Sequence, residues 1–331
     1  MLINNRQPGY YMRICVYGTV FNSVNTIEES IKSVFDPSYD IVIVDNYSKD
    51  GTWEKLQELK KEFNLTLLRL KSSRGKGRAY ALEHCTNSSI TAYFDLDTYY
   101  NENFHKVIQW TITTPDKIVY GPFSLIAKKE TILNKGSWKD LNVGEDTEFV
   151  TRIGFDYYIP VIATMNLYRE NINREFRYAK GIKYYIRRLR NAVDSMRGHG
   201  FNYNDIIEIY SNYGKIVTLA ASIVFILAKL KGTYRYNKEM HNDILLIYNS
   251  LSKLVNPKEI AIPEKFFGYP LPLIYSKMKS YTSQKLKEKV GDLLLYRCND
   301  GYFRYVKNEE GLKLALYQSN SLHVECIREP L

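Results

Sequence analysis

The amino-acid sequence predicts an α/β fold, a mostly parallel sheet with helices on both faces, followed by a mainly helical C-terminal region. Short apolar runs alternate with amphipathic segments from the N-terminal part of the chain to about residue 100. Acidic residues directly follow two of these runs, and the later part is rich in basic and apolar stretches of helical length. Because 331 residues suit two domains, we predict a catalytic domain at residues 1–165 and a helical extension at residues 166–331.

The strands and helices of the first part follow one another closely. A short apolar run at residues 13–20 is typical of a buried strand. Asn25 is predicted to cap the helix that follows, with Glu28 completing a capping box. The segment DIVIVD at residues 40–45 has the β-branched composition of a central parallel strand. The alternation continues with a helix at 53–63, a strand at 65–70, a helix at 78–85 and a strand at 90–95.

This strand–helix order places acidic residues at one edge of the sheet. Strands joined by helices lie parallel, with right-handed crossovers. Ligands of such sheets bind at the carboxyl ends of the strands. Asp45, Asp95 and Asp97 all come at or after such an end, so we expect them to meet at a single binding edge.

The second half contains fewer regular signals. A strand with a turn at Gly121-Pro122 is predicted at residues 118–128. A basic helix is predicted at residues 174–197, and a nearly continuous apolar run follows at residues 216–228. Further predictions are a charged helix near residues 284–295 and a hairpin around Asn299-Asp300-Gly301.

The composition limits the kinds of partner. The formal net charge of +10 favours phosphate groups, nucleic acid or an anionic membrane surface. The four cysteines form no Cys-x-x-Cys pair, so a zinc site is not indicated. They are interpreted as reduced, buried thiols of a cytoplasmic protein. Residues 1–13 lack the apolar core and cleavage site of a signal peptide, which also favours a cytoplasmic location.

Three acidic segments follow one another along the chain. They are DNYSKDGT at residues 45–52, YFDLDT at residues 93–98, and the pair Glu145-Asp146. Together they resemble the family 2 inverting glycosyltransferases of the GT-A fold, over about residues 11–155. The resemblance implies an enzyme that transfers a sugar from a UDP- or GDP-linked donor with the assistance of Mg²⁺ or Mn²⁺.

The resemblance also implies roles for individual residues. Asp97 would bind the metal ion, and Asp95, two residues away on the same face of a strand, would share the ion or reach the ribose. Asp45 matches the acid that hydrogen-bonds the nucleobase. Residues 18–22 lie where the family has a base-contacting string, which this chain matches in part: Asn22 matches, and Thr19 and Phe21 are candidate base contacts. The cation would neutralise the leaving diphosphate.

A basic, glycine-rich segment, SRGKGRA at residues 73–79, opens a predicted helix. Backbone N–H groups at a helix N-terminus favour phosphate, so Arg74 and Lys76 are predicted to contact the donor. The glycine spacing fits neither a P-loop nor a dinucleotide fingerprint, which argues against ATPase and dehydrogenase functions. The segment resembles the Gly-Lys-Gly loop of family members that transfer sugars to polyprenyl phosphates. A polyprenyl-phosphate sugar synthase of the same fold is therefore the alternative function.

The pair Glu145-Asp146 resembles the family's acidic motif at a helix start. An inverting transfer needs a base to deprotonate the acceptor hydroxyl. The resemblance implies that Asp146 is this base and that Glu145 assists it. A phosphate acceptor is already anionic and would need no base, in which case the pair would serve positioning. Acids at a helix N-terminus are also favoured by the helix dipole alone.

The basic and apolar stretches favour contact with a membrane. The helix at residues 174–197 interleaves arginines with tyrosines, as in a helix lying on a lipid interface. Its arginines could instead hold a donor or lipid diphosphate, or form a solvated face. The run at residues 216–228 is shorter than the roughly 20 residues needed to cross a bilayer. We expect a peripheral protein at the cytosolic face of a membrane, acting on a lipid-linked or glycan acceptor.

Two functions from other classes remain as alternatives. A sugar-nucleotide nucleotidyltransferase would also bind a nucleotide, but the glycine-rich signature of that class near the N-terminus is absent from the sequence. A basic nucleic-acid-binding protein would explain the net charge. No RNA-binding aromatic motif is present, so no nucleic-acid partner is predicted.

Overall fold

The computed structural model describes residues 12–121, 123–158, 163–167 and 181–234, and the segments 273–276, 294–299, 303–306, 309, 312–313, 316 and 323–330. The strands of the first part are β1 (Ile14–Val20), β2 (Tyr39–Asp45), β3 (Leu65–Arg69), β4 (Ile90–Tyr93), β5 (Thr98–Tyr100), β6 (Val119–Gly121), β7 (Ser124–Lys128), β8 (Tyr157–Tyr158) and β9 (Thr164–Asn166). Seven of them form one sheet in the order β3-β2-β1-β4-β7-β6-β8. Of its neighbouring pairs only the two that contain β7 are antiparallel, which confirms a mostly parallel sheet.

Helices cover both faces of this sheet. They are α1 (Ile27–Val34), α2 (Thr52–Leu59), α3 (Arg74–Glu83), α4 (Glu102–Thr113), α5 (Lys129–Asn134) and α6 (Glu145–Ile153). One hydrophobic core joins α1, α2 and α4 to the strands, and a second joins α3, α5 and α6 to them. Within β2, Ile41 and Ile43 belong to the first core and Val42 and Val44 to the second. Because successive strand residues point to opposite faces, a central strand buried on both sides is apolar throughout.

The strand register brings the predicted site residues to one edge. Asp45, the last residue of β2, lies level with Val20 of β1 and Arg69 of β3. The loop after β4 is held at the same edge, because Thr26 Oγ1 donates a hydrogen bond to Leu96 O over 2.8 Å. The carboxyl ends of the parallel strands therefore form the predicted binding edge.

Three helices follow the sheet: α7 (Ile182–His199), α8 (Tyr203–Tyr210) and α9 (Lys215–Lys231). They share a small core formed by Val193, Met196, Ile206, Ala221 and Ala228. The helical region predicted after the first domain is thus present. None of the described helices combines the length and the apolar character needed to cross a membrane.

The C-terminal part also contains a sheet. Its strands β10 (Leu273–Ser276), β11 (Leu294–Cys298), β12 (Phe303–Val306) and β13 (Cys326–Glu329) pair antiparallel in the order β10-β12-β11-β13. Strands β11 and β12 confirm the hairpin predicted around residues 299–301. The helix predicted near residues 284–295 and the turn residue Pro122 lie outside the described residues, apart from Leu294 and Leu295 of β11.

Two helix starts differ from the prediction. The N-cap of α1 is Thr26 without a side-chain cap, so the capping box from Asn25 to Glu28 is wrong. Glu28 instead pairs with Lys32 and Lys55, at 2.6 Å in each case. Helix α3 begins at Arg74 rather than 78 because the Ser73 side chain accepts a hydrogen bond from Lys76 N and caps it.

The prediction of reduced thiols is also wrong. Cys15 of β1 is joined by a disulfide to Cys85, directly after α3, and Cys298 is joined to Cys326. The first pair is 70 residues apart in the sequence. Cys15 and Cys85 meet because both belong to the core between the sheet and α3. No Cys-x-x-Cys spacing signals such a contact.

Candidate active site

A cleft of about 1280 Å³ opens at the carboxyl ends of the strands. Its wall contains the end of β1, the turn after β2, the start of α3, the loop after β4 and one side of α7. The described lining residues include Thr19, Phe21, Asn46, Tyr47, Arg74, Asp95, Asp97, Arg187 and Arg190. A cleft of this size accommodates a ligand as large as a nucleotide-sugar.

The two acids of the segment at residues 93–98 face this cleft. Both Asp95 and Asp97 line it, as the sequence predicts. Asp95 Oδ1 accepts a hydrogen bond from Arg78 Nη2 at 2.5 Å, while about half of the Asp95 side chain is exposed. Asp97 O accepts a hydrogen bond from Leu167 N, which ties this loop to the chain after β9. Carboxylates on an open wall are suited to a hydrated divalent cation.

Asp45 lies beneath the cleft wall. Its side chain is fully buried, and its Oδ2 accepts a hydrogen bond from Arg69 Nε at 3.0 Å. Ser48 N donates to the same carboxylate and closes the turn after β2. The Arg69 guanidinium lies over the rings of Tyr47 and Trp53, at 4.6 and 4.5 Å from their centroids. Asp45 thus fixes the turn that carries Tyr47, and its predicted contact with the base stays a prediction.

Asn46 follows Asp45 in the turn after β2. Its Nδ2 donates to Ser72 O at 2.9 Å, and its Oδ1 accepts from Ser72 N at 3.0 Å. A carboxylate could make only the second of these bonds. The amide therefore fastens the turn after β2 to the segment leading into α3, across the floor of the cleft.

The other two residues predicted at the end of β1 have different surroundings. Thr19 lines the cleft, and its Oγ1 donates to Val44 O at 3.0 Å. Asn22 N donates to Ser48 Oγ, and Asn22 Oδ1 accepts from Lys49 N. Asn22 is outside the described set that lines the cleft, so its evident part is to join β1 to the turn after β2.

The two basic residues that were predicted as donor contacts in the loop at residues 73–79 lie in different places. Arg74 lines the cleft, whereas the exposed side chain of Lys76 is not among the described lining residues. A Cβ on Gly75 would lie 2.0 Å from Lys139 O, and one on Gly77 would lie 2.5 Å from Thr19 Oγ1. The two glycines therefore allow α3 to pack closely on its neighbours.

Arg78 connects the two acidic segments of the site. It is almost fully buried, and its Nη1 donates to Glu145 Oε1 at 3.1 Å while its Nη2 donates to Asp95. Its guanidinium also lies over the rings of Tyr93 and Trp138. Burial alone would lower the pKa of Arg78, but Asp95 and Glu145 outweigh it, so the pKa is raised. Arg78 stays charged under all ordinary conditions.

Glu145 is held rigidly beneath the site. It is buried, and its Oε1 accepts hydrogen bonds from both Arg74 and Arg78 at 3.1 Å. Among the described residues, Glu145 Oε2 and Arg78 Nε have no hydrogen-bond partner. Burial raises the pKa of the Glu145 carboxyl, and the two arginines oppose this shift. Glu145 is thus paired with both Arg74 and Arg78, and its predicted catalytic part stays a prediction.

Asp146 differs from its neighbour because it is exposed at the first turn of α6. Its Oδ1 accepts a hydrogen bond from Thr147 N at 2.8 Å. Asp146 is not part of the cleft lining that the described residues form. The preceding Gly144 has φ +73°, and a Cβ there would lie 3.2 Å from His199 Cε1. Helix α7 therefore reaches the start of α6 through His199.

Several residues that line or support the cleft were not singled out as site residues from the sequence. Lys71 lines it beside the start of α3, and Arg187 and Arg190 of α7 line it from the other side. Arg78 could have been identified from the sequence, because it follows Arg74 by one helical turn and a buried acid needs a buried cation. The sequence shows the basic helix but not which of its sides faces the cleft.

The sequence profile described as glycosyl transferase family 2 matches residues 15–181. Residues 1–349 of S. aureus TarS in complex with UDP-GlcNAc are 17% identical with a TM-score of 0.45, covering 66% of this chain and 79% of that chain. A mannosyltransferase of Pyrobaculum calidifontis, PcManGT, in complex with GDP-Man and Mn²⁺ is 16% identical with a TM-score of 0.42, covering 73% and 82%.

The chain spans 33% of the length of a longer S. aureus TarS structure, which is 18% identical with a TM-score of 0.38 over 43% of this chain. No curated protein matches the chain. The profile match covers half of the chain and runs from β1 to the residue before α7. It contains the acidic turn, the Asp95-Leu96-Asp97 loop and the start of α6, and the sheet and helices within it form the GT-A fold. The chain belongs to glycosyl transferase family 2.

Proposed function

We propose that this glycosyltransferase is an inverting, metal-assisted enzyme that uses a UDP- or GDP-sugar. The observation that supports this most is the shared position of Asp95, Asp97 and Arg74 in one cleft at the strand ends. Acids and cations side by side match a diphosphate that carries a divalent ion. We further propose that the acceptor is a lipid-linked compound or a glycan, met at the cytosolic face of a membrane.

The residues fit a metal ion that is shared with the substrate. Among the described residues no three His, Cys, Asp or Glu side chains group around one point. Mg²⁺ sites that act on phosphates commonly use one or two carboxylates, with water and phosphate oxygens completing the octahedron. We propose Asp97 as the ligand and Asp95, which also accepts a hydrogen bond from Arg78, as the residue that shares the ion, since both line the cleft. When bound, the ion would stabilise the negative charge of the leaving diphosphate.

The cleft wall suggests how the donor lies. Phe21 and Tyr47 line it near the turn after β2 and offer aromatic surfaces to a base. Lys71 and Arg74 lie at the start of α3, where their charge can meet the diphosphate.

Inversion requires attack on the anomeric carbon from the side opposite the diphosphate. The acceptor oxygen forms the new bond to carbon as the bond from that carbon to the diphosphate oxygen breaks, and the electron pair leaves with the nucleotide. We propose that Asp146 takes the proton of the acceptor hydroxyl. Glu145 would hold Arg74 and Arg78 in place, since it is buried and paired with both.

A phosphate acceptor is the second candidate, which would make the enzyme a polyprenyl-phosphate sugar synthase. The observation in its favour is that Asp146 stands outside the described cleft lining, whereas Arg187 and Arg190 are part of it. A phosphate oxygen attacks without a base. The Asp146→Asn variant separates the two candidates. A hydroxyl acceptor predicts about 10²- to 10⁴-fold slower turnover, and a phosphate acceptor predicts nearly normal turnover.

Incubation with a panel of UDP- and GDP-sugars, followed by mass spectrometry, tests the proposed function. Free UDP or GDP is the expected product, from transfer or slow hydrolysis. Asp97→Ala should abolish its formation, and Asp116→Ala, at an exposed acid on the protein surface, should not. A nucleotidyltransferase would instead release pyrophosphate from UTP or GTP in the presence of a sugar 1-phosphate, and this activity without release of UDP or GDP from the sugar nucleotides would overturn the proposal.

A further inference from the structure

Helices α7, α8 and α9 expose many large apolar side chains. On α7 they are Ile182, Tyr185, Ile186 and Leu189, on α8 they include Tyr203 and Ile207, and on α9 they include Ile216, Leu219, Ile223, Ile226 and Leu230. Three of them, Ile182, Ile216 and Leu230, are 77%, 85% and 80% exposed. So many exposed large apolar side chains on three neighbouring helices are unusual for a soluble monomer and indicate an interaction site. We call this surface the docking face.

Charged and aromatic residues accompany the docking face in a pattern that suits lipid. Residues 181–234 contain eight lysines and arginines against three acids, and one of these acids, Asp194, is buried in ion pairs with Arg197 and Lys231. Lys215 and Lys229 stand near the two ends of α9. Tyrosines add half-polar rings that favour the boundary between apolar and aqueous surroundings.

The dimensions favour contact with one leaflet rather than a spanning arrangement. Helix α9 has 17 residues, which corresponds to roughly 26 Å at the rise of an α-helix. The hydrocarbon core of a bilayer is about 30 Å thick. One side of α9 also packs in a core with α7 and α8, through Ala221 and Ala228. Only its other side is available to lipid.

We propose that the docking face binds the surface of an anionic lipid bilayer. Its apolar side chains enter the boundary between headgroups and acyl chains, and its lysines and arginines meet the headgroup phosphates. This assigns the proposed membrane contact to a surface outside the family match, which ends at residue 181. It does not depend on the transfer reaction.

The same helix connects the docking face to the cleft. Arg187, Arg190 and Asn191 line the cleft and lie three and four residues apart, on one side of α7. The exposed apolar residues Ile182, Ile186 and Leu189 occupy another side with the same helical spacing. A bilayer bound to the docking face would therefore lie beside the cleft, within reach of an acceptor that is held in the membrane.

Flotation of the full chain with vesicles tests the proposal. At low salt we expect binding to phosphatidylcholine vesicles containing phosphatidylglycerol, weaker binding to phosphatidylcholine alone, and release at high salt. A triple variant, Ile182→Glu, Ile216→Glu and Leu230→Glu, should lose binding. The control, Ile327→Glu, alters an isoleucine on β13 that is 66% exposed, and it should bind normally.

A second pair of variants tests the charge contribution separately. Lys215→Gln with Lys229→Gln should weaken binding to anionic vesicles by about 30-fold, since each basic residue near such a surface is worth roughly a factor of five. Lys60→Gln with Lys61→Gln removes two exposed lysines near the end of α2 and should change little. Equal effects of the two pairs would show a general response to net charge and overturn the assignment.

Fluorescence with brominated lipids tests the orientation. Tyr185→Trp places a tryptophan on the docking face, and Leu133→Trp places one on α5. Only the first should add quenching beyond that of the wild-type protein. Failure of the wild-type protein to bind either vesicle would overturn the proposal. So would a change from dimer to monomer in the triple variant without any lipid binding, because the face would then join two copies of the chain.

Discussion

At the scale of single residues, Arg78 binds two acidic side chains from segments that are distant in the sequence. Asp95 follows β4 and Glu145 begins α6, yet both accept hydrogen bonds from this one guanidinium. Glu145 is buried, and its charge would be costly there without a cation beside it. Arg78 therefore both stabilises the domain and sets the spacing between the loop after β4 and α6.

We expect Arg78→Met to destabilise the protein by about 3–5 kcal/mol, because Glu145 would remain buried with only Arg74 beside it. Chemical denaturation measures this. Adding Glu145→Gln to the variant should restore part of the loss, since the uncompensated charge is then gone. Arg13→Met provides the control, because Arg13 is mostly exposed and lies 3.9 Å from Asp40. A loss no larger than that of the control would mean that the buried pair does not form.

Asp97 carries the proposed metal contact. We expect Asp97→Ala to remove metal-dependent binding of the nucleotide and to leave the stability nearly unchanged, because the side chain lines an open cleft. Calorimetric titration with UDP and with GDP, in the presence and absence of Mn²⁺, measures the effect. Unchanged affinity of the variant together with an unchanged response to a chelator would contradict the assignment.

At the scale of helices and loops, Asp194 fastens α7 to the active site. It is buried, and its Oδ2 accepts hydrogen bonds from the backbone and side chain of Asn142, just before α6. Its Oδ1 accepts from Arg197 and from Lys231 at the end of α9. Arg197 in turn donates to Asp140 O. Asp194 therefore connects α7 and α9, which carry the docking face, to the loop before Glu145 through hydrogen bonds and ion pairs.

The pKa of Asp194 is lowered: burial alone would raise it, but the hydrogen bonds from Asn142 and Lys231 and the pair with Arg197 outweigh burial. Because the folded pKa lies below the unfolded value of about 3.9, the stabilisation is present above that pH and is lost as the pH falls through the folded pKa. Asp194→Asn should therefore be less stable than wild type near neutral pH, and the difference should narrow below about pH 4. Denaturation across this range measures it. Asp116→Asn, at an exposed ion pair, should show a small difference throughout.

The alternating pattern of the first half made the sheet and its acidic edge predictable. Buried parallel strands such as β2 carry a continuous apolar run, here residues 41–44, that is followed by a polar residue, so Asp45, Asp95 and Asp97 could be placed from the sequence. Contacts between segments that are distant in the sequence could not be predicted in this way. The pairing of Asp95 and Glu145 through Arg78 depends on how α3 packs, and the start of α3 is set by Ser73 rather than by an apolar period.

The orientation of helix α7 was also not predictable from the sequence. Its basic and aromatic composition was evident, and both a lipid interface and a diphosphate contact were proposed for it. The two interpretations concern different sides of one helix, since Arg190 lines the cleft whereas Ile186 is exposed. Which side faces the cleft depends on contacts with α6 and with the loop before it, and the sequence of α7 alone does not contain them.

At the scale of the whole molecule, the disulfides bear on where the protein works. Disulfides persist in oxidising compartments and are rare in the cytoplasm. The predicted cytoplasmic location rested in part on reduced thiols, and that part no longer supports it. A link between Cys15 and Cys85, across 70 residues, would stabilise the domain by about 2–4 kcal/mol because it restricts the unfolded chain.

Thiol titration of the unfolded protein decides whether these links form. We expect no reactive thiol before reduction and four after it, because the four cysteines of the chain form the two disulfides. Unfolding in denaturant exposes buried groups, so that burial cannot mimic oxidation. Denaturation in the presence of a reductant should then show the lost stabilisation, and Cys15→Ala with Cys85→Ala should reproduce most of it. Four reactive thiols in the unreduced protein would restore the interpretation of buried, reduced cysteines and with it the argument for the cytoplasm.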